Sequence, residues 1–248
     1  SVPPGVQEYV PPNIDTALKW LRRAAEQGHA ESQAKLGVEY ATGQHVTKDD
    51  WEAAYWFRKA AAQGNAQGEN GLAISYLNGL GVEKNEEEAF KYFESAALKG
   101  FKPAISYAGR FYAMGIAVEK DLALAADLFK AAAAGDDGDA YARYALGVMH
   151  ERGDGVEKDE LLAARWYRWA AEIGHPEAAY NLAVMYFDGR GVTQSKAHTH
   201  AWFAIAERFG FADARESKLE VEKTLTPEEL ETALGIADRC PDSWTCDL

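Results

Sequence analysis

The stretch LGVMHERGDGVEKDELLAARWYRWAAEIG, residues 146–174, carries the pattern that decides the fold. It runs out of one helix, through Gly153-Asp154-Gly155-Val156, and into a second helix that closes on Gly174. The first helix starts upstream in AYARYALGVMHERG (140–153), where apolar residues fall at i, i+3 or i+4, and i+7. It should stop at Gly153, because glycine suits the left-handed conformation that ends many helices. The second helix should start after Asp159, whose carboxylate can accept hydrogen bonds from the unpaired amides of a first turn. No stretch of the chain shows convincing strand alternation.

Outward from this stretch the same unit recurs. WLRRAAEQG (20–28), WFRKAAAQG (56–64), YFESAALKG (92–100), LFKAAAAG (128–135), WYRWAAEIG (166–174) and a decayed WFAIAERFG (202–210) are versions of one another. Their closing glycines lie 36, 36, 35, 39 and 36 residues apart. Val46, Val82, Val118, Val156 and Val192 recur at 36, 36, 38 and 36. Helix stops recur at Gly43, Gly79, Gly115, Gly153 and Gly189, and helix starts at Asp49, Asn85, Asp121, Asp159 and Ser195. Asp49 and Asn85 have Glu52 and Glu88 at capping-box spacing.

The 45 alanines among 248 residues are explained by this period. Ala17, Ala53, Ala89, Ala125 and Ala163 form a column on the second helix of each unit; Gly37, Ala73, Gly109, Gly147 and Ala183 form one on the first. Small residues at fixed registers let helix axes approach. The recurring pairs Trp56/Phe57, Tyr92/Phe93, Trp166/Tyr167 and Trp202/Phe203 fill the remaining space, so they read as core rather than as a cofactor box. Each hairpin exposes an apolar face that only its neighbours can cover, so the units should stack. The expected inventory is one helix near 14–27, five hairpins, and two closing helices near 212–224 and 227–239, about thirteen in all. Thr226-Pro227-Glu228-Glu229 starts the last of them, with threonine as cap, proline in the first position and glutamate at capping-box spacing. Glu216, Lys218, Glu220, Glu222 and Lys223 read as a solvent-facing end.

The set Leu146-Gly147, Gly153, Gly155-Val156, Asp159, Ala163, Trp166-Tyr167, Ala170-Ala171 and Gly174 resembles the Sel1-like repeat, a relative of tetratricopeptide arrays. The resemblance covers about residues 13–210. Departures are His45 and Ala117 at a loop glycine, and His150 where Tyr40, Tyr76, Tyr112 and Tyr186 stand in other units. The resemblance implies an all-α fold, a right-handed α-solenoid superhelix of antiparallel helix hairpins. The chain then divides into an extended segment 1–12, the array 13–210, and closing helices with a tail, 211–248. The resemblance also implies a non-catalytic protein-binding scaffold whose first helices line a concave face. Exposed positions on that face would include Ala34, Asn70, Ile74, Ser106, Arg110, Tyr141, Tyr144, Arg152, Tyr180 and Phe187. A peptide groove would centre on Tyr141, Tyr144, Arg152, Tyr180 and Phe187, since tyrosine and arginine are enriched where partners anchor. In the other reading, tight winding packs these residues on neighbouring helices.

Nothing in the sequence assembles a nucleophile with its base. HExxH, G-x-x-x-x-G-K-[ST], G-x-S-x-G and CxxC do not occur, and the Gly-x-Gly pieces follow helices and read as turns. His29 and His175 sit in turns after closing glycines, and His150 falls in a core column. His198 and His200, two apart on a helix, cannot easily share a metal. Asp136-Asp137-Gly138-Asp139 lacks the later ligands of a calcium loop. No cofactor is therefore expected. A hydrolase acting on cell-wall or β-lactam compounds is the remote alternative, because the cysteine pair per repeat of the relatives named for that chemistry is missing.

The charge narrows the partner. Lys and Arg total 26 against 39 Asp and Glu, a net charge of −13. That argues against nucleic acid, whose phosphates need clustered cations, and against an anionic membrane surface. A basic protein partner remains. An immunity or inhibitor protein that neutralises a secreted toxin or hydrolase is the narrower reading. No apolar run is long enough to span a bilayer. The only cysteines, Cys240 and Cys246, lie six apart at the tail. A bridge between them would contribute about 2 kcal/mol in the chain-entropy model; two free thiols are the other reading. A bridge would fit an oxidising compartment. The start at Ser1 reads as a mature or trimmed chain, or as a cloning boundary. Together these lean toward a bacterial periplasmic or secreted protein.

Overall fold

A computed structural model describes residues 13–239, and among them the chain is helical throughout, with no strand. The expected Cys240–Cys246 bridge and the segment 1–12 lie outside the described residues. The helices are α1 (Ile14–Glu26), α2 (Ala30–Thr42), α3 (Asp50–Ala61), α4 (Ala66–Asn78), α5 (Glu86–Leu98), α6 (Lys102–Met114), α7 (Leu122–Ala133), α8 (Ala140–Arg152), α9 (Glu160–Glu172), α10 (Pro176–Asp188), α11 (Lys196–Arg208), α12 (Ala214–Glu222) and α13 (Pro227–Asp238). This is the all-α solenoid that the period predicts.

The hairpins are punctuated as the sequence suggests. Asp49, Asn85, Asp121, Asp159 and Ser195 each cap a second helix by accepting from a first-turn amide. Each also donates its own amide back to the end of the first helix, to the carbonyls of Tyr40, Tyr76, Tyr112, His150 and Tyr186 respectively. That bond fixes the turn within every hairpin. The stop glycines take left-handed dihedrals, as at Gly153 with φ 80°.

Some local expectations need correcting. The spacing of Glu52 and Glu88 does not yield capping boxes: Glu52 accepts from the Trp56 indole at 3.1 Å and Glu88 pairs with Lys91 at 2.6 Å. Thr226 and Glu229 do form one. His29 and His175 are more than turn residues. They cap α2 and α10, their Nδ1 atoms accepting from the amides of Ser32 and Ala178. His150 is internal, its Nδ1 donating to the Glu157 carbonyl at 3.1 Å.

The chain forms two compact units, one ending at Ala104 and the other beginning at Ile105 within α6. In the first, each helix from α1 to α5 packs on the next, and α2 also packs on α4. Its core gathers Leu36, Trp56, Phe57 and Leu72. In the second, α7 to α11 pack in sequence, α8 touches α10, and α11 receives both α12 and α13. Its core is built on Phe129, Leu146, Tyr167, Leu182, Trp202 and Ile205. Of the aromatic pairs, Trp56/Phe57 and Trp202/Phe203 are wholly core, as are Phe93 and Tyr167, while Tyr92 and Trp166 are half-buried.

Candidate partner-binding groove

First helices packed on one another cover positions that were expected to be open. Ala34, Asn70 and Ser106 are buried rather than exposed. Ala34 and Asn70 lie on the paired helices α2 and α4; Ser106 donates its hydroxyl to Asp139 at 2.7 Å. Ile74 is half-buried beside Asn70, in a small pocket of the first unit with Val38, Phe57 and Leu80.

In the second unit, Tyr141 and Tyr144 form an aromatic tier rather than free anchors. The Arg110 guanidinium lies 4.7 Å from the Tyr141 ring centre. Tyr144 stacks on the His175 imidazole at 4.5 Å and leans on Tyr167 at 6.0 Å. Burial lowers the affinity of His175 for a proton, against the opposing pull of Glu177 and Asp139. Beneath the tier, Tyr167 donates to Glu151 at 2.6 Å, and Glu151 also receives Arg190 at 2.7 Å. Burial works against the ionised Glu151, but the hydrogen bonds from Tyr167 and Arg190 outweigh it and hold its carboxyl low. Burial and the bond to Glu151 push the Tyr167 phenol far upward, so it stays a donor. Arg152 points out at the end of α8, exposed.

Tyr180 and Phe187 meet in a different place. With Val184 they form the i, i+4, i+7 stripe of α10, one wall of an open groove of about 470 Å³. Phe203 of α11 floors it, and Tyr180 packs on Phe203 at 5.1 Å and on Phe211 at 4.8 Å. Phe187 stands 55 % exposed at the mouth. The other wall is α12 and the residue before it: Asp213, Glu216, Ser217, Glu220 and Val221. Their spacing, i, i+3, i+4, i+7 and i+8, is a single helical stripe. Ser217 bridges the walls, its hydroxyl 3.4 Å from that of Tyr180.

The remaining charges of α12 are spent elsewhere. Lys218 binds Glu207 of α11 at 2.6 Å, Arg215 lies 3.7 Å from the same carboxylate, and Glu222 meets His200 at 3.2 Å. The closing helix is therefore two-sided: one side is tied to α11 and the other presents carboxylates to the groove. Sequence reasoning treated this end as a plain polar cap and missed Asp213, Glu216, Ser217, Glu220 and Val221. Their one-stripe spacing was the available signal. Among the described residues no cluster of His, Cys, Asp and Glu could hold a metal ion, and no helix is long and apolar enough to cross a membrane.

Comparison with known proteins completes the site. The Sel1 repeat model matches residues 5–29, 30–65, 66–101, 103–137, 140–175 and 176–208. No curated protein sequence matches the chain significantly. Among solved structures, a Sel1 repeat protein from Oxalobacter formigenes shares 27% identity over 89% of this chain and 93% of its own, with a TM-score of 0.74. The protective antigen c5321 of uropathogenic Escherichia coli, which displays an SLR fold, shares 32% identity with a TM-score of 0.72. The match covers 90% of this chain and 48% of the antigen, so the chain spans about half its length. The immunity protein Pa5087 of Pseudomonas aeruginosa shares the fold at 16% identity and a TM-score of 0.53, over 85% of this chain and 81% of its own. Sel1 repeat proteins are, in general, non-catalytic protein-binding scaffolds.

Proposed function

The chain belongs to the Sel1 repeat family, and from that premise we propose that it is a non-catalytic scaffold that holds a segment of a protein partner in the groove between α10 and α12. The observation that carries this reading is Phe187. A large aromatic side chain left more than half exposed at the mouth of an apolar groove is the kind of anchor that partners bury. The test uses wild-type and Phe187→Ala chains as baits in an extract of the producing cells, with quantitative mass spectrometry. Phe187 is exposed, so the variant should melt with the wild type. Proteins retained by the wild type and lost from the variant are expected; identical retention by both would end the reading.

A second reading, an immunity-type inhibitor of a basic secreted enzyme in the periplasm, is favoured by the acidic rim of the groove and by the net charge of −13. Acidic surfaces steer encounter with basic ones. It predicts that the chain silences such an enzyme at an equimolar ratio, and that Glu216→Lys with Glu220→Lys restores the enzyme's activity.

A further inference from the structure

We infer that the groove between α10 and α12 selects a partner segment in which a large aliphatic or aromatic anchor has lysine or arginine within one turn of it. The inference rests on the scaffold reading above and names the chemistry of its ligand. The floor and inner walls are apolar: Tyr180, Val184, Phe187, Phe203 and Val221. They reward an anchor that leaves water. The rim is anionic on one side only, from Asp213, Glu216 and Glu220. At 1.5 Å rise per residue these carboxylates follow one another about 4.5 and 6 Å apart along α12. Cations one turn apart on a partner helix, or alternate residues of an extended one, match that spacing. Lysine and arginine stems can also lie along the apolar walls while their charged heads reach the rim.

Among the described residues, little of this rim is neutralised by the protein's own cations. Lys218 and Arg215 are turned to Glu207. Neither Asp213 nor Glu216 has a cation in ion-pair range among the described residues; Glu220 has only the exposed Lys223. The two segments outside the described residues, SVPPGVQEYVPP and CPDSWTCDL, contain no lysine or arginine. A second copy would bring another net charge of −13 against the rim. Charge complementarity therefore points to a separate cationic segment.

The test pans a random peptide phage library against the full-length chain, with the Glu216→Lys/Glu220→Lys chain as counter-selection. Both positions are exposed, and matching helical content with a cooperative melting transition shows that the variant is folded; Glu216→Gln/Glu220→Gln serves as a milder second variant. The expected recovery is peptides with lysine or arginine next to a leucine, isoleucine, methionine or aromatic residue. Their binding should weaken about tenfold or more in the reversed variant, less in the neutral one, and also in Phe187→Ala. Peptides without cations that still depend on Phe187 would overturn this inference and leave the scaffold reading standing. Enrichment of no peptide would overturn the inference, while capture of proteins that depend on Phe187 would decide the scaffold reading separately.

Discussion

A β-carbon at position 147 would stand 2.5 Å from Cδ1 of Tyr167. The ring cannot withdraw, because it is wholly buried and its hydroxyl is held by Glu151. Gly147→Ala should therefore cost about 1–3 kcal/mol through overpacking, read by urea unfolding; a loss within about 0.5 kcal/mol would show that the pair relaxes freely. The column of small residues was legible in sequence, but Ala73 and Ala183 occupy it too. What demands glycine at 147 is the tyrosine packed across from it, which repeat spacing alone does not reveal. The same tier carries a pH dependence. His175 is kept neutral by burial, so its folded pKa lies below the unfolded value near 6.5. A depressed histidine contributes stability that is fully present above pH 6.5 and lost as the pH falls toward the folded value. The melting temperature should then drop between about pH 7.5 and about pH 5.5, and less steeply in His175→Asn. Asparagine is the right replacement because Asn65 already caps α4 at the equivalent position, accepting from Gly68 at 2.9 Å. Parallel slopes for the two chains would assign the loss to other groups.

At the scale of elements, the helices were legible because their punctuation is local. A stop glycine, a short polar cap and an apolar period need no knowledge of the rest of the molecule. Thus α1, α12 and α13 lie within about two residues of where the sequence put their ends. The capping box of α13 is the one that formed, and Thr226→Ala should cost about 1 kcal/mol, seen as earlier melting, with Thr226→Ser nearly neutral. Equal melting of the alanine and wild-type chains would mean that α13 is held by its packing on α11 alone. Capping boxes failed at α3 and α5 because neighbours on the same helix, Trp56 and Lys91, take the glutamates. The groove was illegible for a tertiary reason. Which side of α12 faces outward depends on Glu207 and His200 of α11, which draw Lys218 and Glu222 to themselves. The anchors Tyr180 and Phe187 were found from the first-helix register, whereas the acidic wall opposite them needed three-dimensional partners to be sorted. Asn70 and Ser106 are buried, as the reading with tightly wound neighbouring helices has it, because helix register alone does not say how closely the next repeat packs.

At the scale of the whole molecule the net charge of −13 is the dominant fact, and it makes a prediction about salt. Two opposing terms are screened together. Exposed pairs such as Lys35–Glu31, Lys84–Glu86 and Lys91–Glu88 are worth about 0–1 kcal/mol each, so screening forfeits little. The excess of carboxylates repels itself in the compact state, and the screening length shrinks to about 10 Å at 0.1 M salt. Relief of that repulsion should win, so the melting temperature should rise by a few degrees between about 20 mM and about 300 mM NaCl. The Glu216→Lys/Glu220→Lys chain isolates the cause. Each exchange changes the charge by two, taking the net from −13 to −9, so its salt response should be smaller than that of the wild type. If salt instead lowered the melting temperature of both chains, the half-buried pairs Glu69–Lys99 and Glu151–Arg190 would outweigh the repulsion. The acidic groove would then have to be regarded as one carboxylate patch on a surface whose charges are, on balance, paired.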